Sequence, residues 1–184
     1  MSSASQPLLT AEEFGRRADP GYPEELVRGR IVTMPSPGRR HGQVCAQVVY
    51  LLRRFLEEHD LGHVLSNDSG VITERGPDTV RGPDIAFYSY SRIPKGPLPA
   101  SYGPEIPELV FEVRSPGDRW RELTIKAGEY LSAGVLFVVI LDPDAQTAVV
   151  YSGEEPPRVL GPDDKLAFPE LLGDFRAKVG RLFE

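Results

Sequence analysis

At residues 108–115 the chain reads Glu-Leu-Val-Phe-Glu-Val-Arg-Ser. The apolar run Leu109–Val113 is interrupted only by Glu112, and such runs are typical of central strands that are buried on both faces. Downstream, an amphipathic pattern predicts a helix over 119–133, and a second apolar run predicts a buried strand over 135–141. A helix between two buried strands favours a parallel crossover, which makes this segment decisive for the fold.

The rest of the chain supplies a second long helix and strands that are expected to be antiparallel. Apolar residues at helical spacing predict a helix over 41–58, and β-type runs predict strands over 64–73 and 79–88. Glu25–Val27 and the residues from Arg30 onward are expected to form a hairpin that turns at Gly29. The sequence therefore predicts an α/β (α+β) fold with a mixed sheet and an N-terminal β-hairpin.

Composition limits the class of protein. With 184 residues, 40% of them hydrophobic, the chain is expected to form one domain over residues 8–184, after a disordered segment over residues 1–7. The net charge of −6 argues against a nucleic-acid binder that works by bulk charge, although a local basic channel remains compatible with it. No apolar run is long enough to span a membrane, and no basic region followed by an apolar core marks a signal peptide. The single Cys45 precludes an internal disulfide and fits a cytoplasmic location.

Two acids are set in β-type runs, Asp84 directly after Pro83 and Glu112 within its apolar strand. A buried carboxylate is costly unless it is paired, hydrogen-bonded or bound to a metal. If the two strands pair, both acids can lie on one face of the sheet. Together with a backbone carbonyl, for which we take Val113, they make an oxygen-rich site suited to Mg²⁺ or Mn²⁺. Lys126, on the flank of the downstream helix, is expected to reach the same cleft.

Each of these residues also has an interpretation without a metal. Asp84 can be an acid at a strand end, and Glu112 can pair with Arg114 or Lys126 in a structural ion pair. Glu25 can be a solvated hairpin residue, and Lys126 can be a helix lysine whose stem packs while its amine reaches solvent. His41 can be a polar residue at a helix start, and Cys45 can be a core residue.

The order of several short motifs is informative where each one alone is weak. They are Glu25-Leu26-Val27-Arg28-Gly29, His41, Pro83-Asp84, Glu112-Val113-Arg114-Ser115-Pro116, Lys126 with Tyr130, Gly134-Val135 and Asp142-Pro143. Over roughly residues 22–152 this ordered set resembles the Uma-type family of restriction-endonuclease-like proteins, within the PD-(D/E)XK nuclease superfamily.

The resemblance implies a restriction-endonuclease-like αβββαβ core and a DNA endonuclease that uses Mg²⁺ or Mn²⁺. Asp84 and Glu112 would be metal ligands, Glu25 an additional acid, and Lys126 would take the role of the motif lysine. A nuclease that cuts two-fold symmetric duplex DNA is expected to be a homodimer or higher homo-oligomer.

The chain departs from the superfamily pattern at Arg114, which stands where the motif lysine is expected, two residues after Glu112. A guanidinium stays protonated, so it can stabilise charge but cannot act as a general base. Arg114 is therefore either a catalytic substitute for that lysine or a salt-bridge partner. The same departure keeps open a second function: a catalytically weak or inactive nuclease-fold module that binds nucleic acid or has a regulatory role. A metal-free, glycosidase-like use of the two acids is disfavoured, because no cluster of sugar-stacking aromatic residues accompanies them.

Overall fold

The computed structural model describes residues 7–153 and 155–184. Except for Pro7, the segment expected to be disordered lies outside the described residues. The helices of the described residues are α1 (Ala11–Gly15), α2 (Arg39–Glu58), α3 (Trp120–Ala133) and α4 (Pro169–Leu172), followed by a 3₁₀ helix (Val179–Phe183). Its strands are β1 (Glu24–Val27), β2 (Arg30–Thr33), β3 (Gly62–Ser66), β4 (Val71–Glu74), β5 (Thr79–Arg81), β6 (Ile85–Ser89), β7 (Leu109–Val113), β8 (Phe137–Asp142), β9 (Thr147–Tyr151), β10 (Arg158–Leu160), β11 (Lys165–Leu166) and β12 (Ala177–Lys178).

The central sheet is mixed, with the strand order β10-β9-β8-β7-β6-β3. Its one parallel pair among the described strands is β7 with β8, and α3 forms the connection between them. The other neighbours in this sheet are antiparallel. The mixed α/β fold and the crossover predicted from residues 108–141 are therefore confirmed.

The two long helices cover opposite faces of this sheet because side chains alternate along each strand. Val44 and Leu52 of α2 pack in one apolar cluster with Phe111 of β7. Tyr130 of α3 packs in a second cluster with Val110 of the same strand. This alternation places Glu112 on the α3 face of β7, where Tyr130 contacts it.

The predicted strands over 64–73 and 79–88 have the wrong boundaries, because each is divided between two sheets. Asn67 and Asp68 adopt left-handed backbone angles, with φ of 66° and 54°, and end β3. Gly82-Pro83 separates β5 from β6, where proline lacks the amide donor that a ladder requires. Strands β4 and β5 instead join the N-terminal hairpin in a second sheet of order β2-β1-β5-β4.

Residues next to the helix ends form the caps of α1 and α3. Thr10 caps α1 and forms a capping box with Glu13. Gly134 ends α3 with a φ of 106°, a conformation that favours glycine. Within the described residues, no helix has both the length and the apolar character needed to cross a bilayer.

Asp78, in the turn between β4 and β5, ties α1 to the second sheet. Its Oδ2 accepts hydrogen bonds from the Ala11 amide and from Arg75 Nη1, both at 2.8 Å. Its Oδ1 accepts one from the Gly76 amide at 3.2 Å. The Ala11 amide is the main cause that holds the pKa of Asp78 below its usual value, and the Gly76 amide and Arg75 add to it.

We expect Asp78→Asn to lower the free energy of unfolding at pH 7 by about 1.5–3 kcal/mol, since it weakens hydrogen bonds to a charged group. Because the pKa is lowered on folding, the charged Asp78 stabilises the wild type above the ordinary aspartate pKa of about 3.9. That stabilisation is lost as the pH falls through the lower pKa of the folded state. Urea denaturation at neutral and acid pH measures both effects. The variant should lose less stability on acidification, whereas Asp163→Asn, whose side chain is 97% exposed, should behave as wild type.

Candidate active site

A cleft of about 650 Å³ opens between the N-terminal hairpin, the start of α2, the adjoining ends of β6 and β7, and α3. The residues that line it include five of the six predicted site residues: Glu25, Asp84, Glu112, Val113 and Lys126. They come from four separate parts of the chain, so the tertiary fold brings together what the sequence keeps apart.

Asp84 stands directly before β6, and both of its oxygens have partners. Oδ2 accepts a hydrogen bond from the Val113 amide at 2.6 Å, and Oδ1 lies 3.2 Å from His41 Nε2. The bond to Asp84, followed by the contact with Cys45, raises the pKa of His41 to about 10. His41 is therefore an imidazolium at neutral pH and donates to Asp84.

Glu112 is 6% exposed, and α3 supplies its partners. Its Oε1 accepts a hydrogen bond from the Tyr130 hydroxyl at 2.9 Å and lies 3.0 Å from Lys126 Nζ. Burial raises the pKa of Glu112 to about 7, although the charge of Lys126 acts in the opposite direction. The nearby charge of Asp84 also contributes to this rise.

Glu25 of β1 is 4% exposed and is anchored by two cations and an amide. Its Oε1 lies 3.0 Å from Lys126 Nζ and accepts the Gly82 amide at 3.1 Å, while its Oε2 accepts Arg81 Nη1 at 2.7 Å. Burial by itself would raise the pKa of Glu25, but the charges of Lys126 and Arg81 outweigh it and hold this pKa below its usual value. Arg81 also makes a two-pronged bond to Glu129 of α3, at 2.7 and 2.9 Å.

Lys126 is the cation that the buried acids share. Its Nζ lies 3.0 Å from both Glu25 Oε1 and Glu112 Oε1, and 3.5 Å from the Gly82 carbonyl oxygen, to which it donates. Burial lowers the pKa of Lys126, but the neighbouring Glu112 and Glu25 carboxylates outweigh this and hold the pKa above its usual value. The ammonium therefore keeps its proton at neutral pH.

Arg114 is directed elsewhere. It is not one of the described residues that line the cleft, and its Nη1 donates to Asp142 Oδ2 at 3.1 Å. Its guanidinium lies 5.7 Å from the ring centroid of Trp120. Of the two interpretations that the sequence leaves open for Arg114, this geometry favours the salt-bridge partner.

Sequence reasoning missed three polar residues at or around the cleft. Tyr130 belongs to the quoted motif with Lys126, but no role at the site was predicted for it, although a spacing of four puts both side chains on one helix face. Arg81 gave no signal, because its partners Glu25 and Glu129 are distant in sequence. Asp68 lies in a turn and lines the cleft, and burial followed by the nearby Asp84 raises its pKa.

Residues 11–180 match the sequence model of the Uma2 family, which is described as "Putative restriction endonuclease". The chain belongs to the Uma2 family. No curated protein matches the chain. Its fold is similar to that of a solved structure described as a putative nuclease belonging to DUF820, from Anabaena variabilis ATCC 29413. That comparison has a TM-score of 0.82 and 22% sequence identity, and it covers 95% of this chain and 97% of the other.

The Uma2 match extends over nearly all of the described residues and includes every residue that lines the cleft. Membership is consistent with the PD-(D/E)XK superfamily, and restriction-endonuclease-like families generally use divalent metal ions. For this Uma2 chain, the carboxylates to consider as ligands are those of Asp84 and Glu112, with Glu25 beside them.

Proposed function

We propose that this protein is a divalent-metal-dependent DNA endonuclease, with Asp84, Glu112 and the Val113 carbonyl as the ligands of Mg²⁺ or Mn²⁺. The observation that supports it most strongly is that Glu25 and Glu112 converge on Lys126 in a cleft that Asp84 also lines. Acids buried this deeply are costly, so a cleft that collects them favours a cation.

The donor set fits a hard divalent cation. An ionised carboxylate has about four acceptor positions, and Asp84 uses two of them for Val113 and His41. Oxygen ligands are the ones that Mg²⁺ and Mn²⁺ prefer. Burial is the main cause of the raised pKa of Glu112, and a cation bound to this carboxylate would favour its charged form.

When bound, such a cation neutralises charge on a phosphate and lowers the pKa of water that it coordinates. The protein's own residues would orient and hold the reacting groups. The Val113 amide and the His41 imidazolium hold the Asp84 carboxylate, and the Tyr130 hydroxyl holds Glu112. Lys126, protonated and fixed between two acids, can stabilise negative charge that develops on a phosphate at the cleft.

An inactive module that keeps the fold is the second candidate. It is favoured by the ion pairs of Lys126, which satisfy Glu25 and Glu112 without a metal. In that case the cluster would be a structural feature, and DNA or a protein partner would bind without being cut.

Metal removal separates the two candidates. Supercoiled plasmid incubated with the protein and Mg²⁺ or Mn²⁺ should be nicked or linearised. EDTA should stop the reaction, and added Mn²⁺ should restore it, since the proposed site needs a cation. Cleavage that persists in EDTA, or no cleavage by a folded protein at any Mn²⁺ concentration, would contradict the proposal.

A further inference from the structure

Besides Glu112 and Val113, Asp84 has a second set of neighbours, which lie in the first turns of α2. His41 Nδ1 lies 3.5 Å from Cys45 Sγ, and His41 Nε2 lies 3.2 Å from Asp84 Oδ1. One ligand atom of each of these three residues lies within 4.8 Å of the other two. Glu112 is not a member of this group.

The donor atoms of this group differ from the oxygen ligands proposed for Mg²⁺, which come from Asp84, Glu112 and the Val113 carbonyl. A thiolate sulfur, an imidazole nitrogen and a carboxylate oxygen are the donors that Zn²⁺ takes in proteins, whereas Mg²⁺ takes oxygen. His41 and Cys45 are four residues apart in α2, and residues at that spacing share one helix face. Helical zinc-binding pairs use the same spacing.

The group is accessible to an ion from the cleft, and its three ligands leave one coordination position of a metal open. The side chains of His41 and Asp84 are each 12% exposed, and both residues line the cleft, which gives an ion a path of entry. Three protein ligands leave a fourth position for water or another ligand, as in open zinc sites.

We infer that His41, Cys45 and Asp84 form a binding site for a borderline-soft divalent cation of the Zn²⁺ type. Binding would displace the thiol proton of Cys45 and one of the two ring protons of the His41 imidazolium, and both would go to solvent. The sulfur and nitrogen donors make the site selective for Zn²⁺ over Mg²⁺. Because Asp84 belongs to both sets, Zn²⁺ would withdraw this carboxylate from the Mg²⁺ site; only this last consequence rests on the proposed function.

Cobalt(II) is a sharp probe for this site, because a Co²⁺–thiolate bond gives charge-transfer absorption in the near ultraviolet and Cys45 is the only cysteine. Titrating the full-length protein with Co²⁺ should produce this absorption at one equivalent, and Zn²⁺ should abolish it. His41→Gln should weaken Co²⁺ binding by more than about tenfold. His63→Gln, which changes a histidine bound to the Pro94 carbonyl, is the matched control and should titrate as wild type.

Zn²⁺ calorimetry on Cys45→Ser gives a second reading if His41→Gln fails to fold. The isosteric serine should also weaken Zn²⁺ binding by more than about tenfold, since it removes the sulfur ligand. Absence of the charge-transfer band from folded wild type, or unchanged Zn²⁺ affinity in Cys45→Ser, would overturn the inference. Neither readout depends on DNA cleavage, so an inactive protein that gives the band would refute the nuclease proposal and leave this site intact.

Discussion

Lys126→Met is expected to lower the free energy of unfolding by about 3–5 kcal/mol, the usual cost of removing one partner from a buried ion pair. Lys126 Nζ is shared between Glu25 and Glu112, whose residues are 4% and 6% exposed. Methionine keeps most of the apolar stem, so the loss reports chiefly on the two carboxylates that remain without their shared cation. Urea denaturation followed by circular dichroism measures it.

Two further variants make this result specific. Lys95→Met removes an exposed lysine that pairs with Asp60, and it should leave stability almost unchanged. Glu112→Gln combined with Lys126→Met should cost less than the sum of the single changes, because the double variant removes an unpaired buried charge. A Lys126→Met protein as stable as wild type would contradict the description of Lys126 as the shared counter-ion.

The same variant connects stability to the proposed metal. If a divalent cation binds Asp84 and Glu112, Mn²⁺ should stabilise Lys126→Met by supplying the missing positive charge, and by more than it stabilises wild type. Adding Asp84→Asn should abolish this gain. An equal effect of Mn²⁺ with and without Asp84→Asn would show that the cation acts elsewhere.

Asp84→Asn is expected to reduce Mg²⁺-dependent plasmid cleavage by at least about 100-fold. Asparagine has nearly the same volume and keeps an oxygen that can accept the Val113 amide, so the change removes mainly the charge. Initial rates of loss of supercoiled plasmid, measured at several Mg²⁺ concentrations, give the comparison.

Glu122→Gln is the matched control for this experiment. Glu122 also lines the cleft, but it lies in the first turn of α3, where its side chain is 66% exposed and 3.8 Å from Arg119. The control should cleave as wild type. If Asp84→Asn cleaves as fast as Glu122→Gln, Asp84 is not a ligand of a metal required for cleavage.

Local signals were enough to predict the elements around the crossover. The apolar run that contains Glu112, the helix that ends at Gly134 and the apolar run after it each have a pattern that depends only on nearby residues. Alternation along β7 was enough to predict that Glu112 and Val113 face opposite sides of the sheet, and the structure shows that α3 covers the side of Glu112. The pairing of β6 with β7, with Ile85 opposite Phe111, then brings Asp84 close to Glu112.

Local signals did not predict several features that depend on how distant segments pack together. The division of 64–73 between two sheets depends on Asn67 and Asp68 adopting left-handed angles, although the turn-forming residues at 66–70 were a visible hint. Alternation along the strand places Arg114 on the same face as Glu112, yet its guanidinium contacts Asp142 and Trp120 and does not line the cleft. A long side chain has several possible partners within reach, and which of them it contacts depends on the assembled fold.

Calorimetric titration of Mn²⁺ into wild type, Glu112→Gln and Glu122→Gln tests the proposed metal centre most directly. Glu112→Gln is the informative variant, because Glu112 lies outside the group formed by His41, Cys45 and Asp84. We predict saturable Mn²⁺ binding to wild type and Glu122→Gln, and its loss in a folded Glu112→Gln protein. Equal Mn²⁺ binding by all three proteins, or no binding to wild type, would contradict the assignment of Glu112 as a metal ligand.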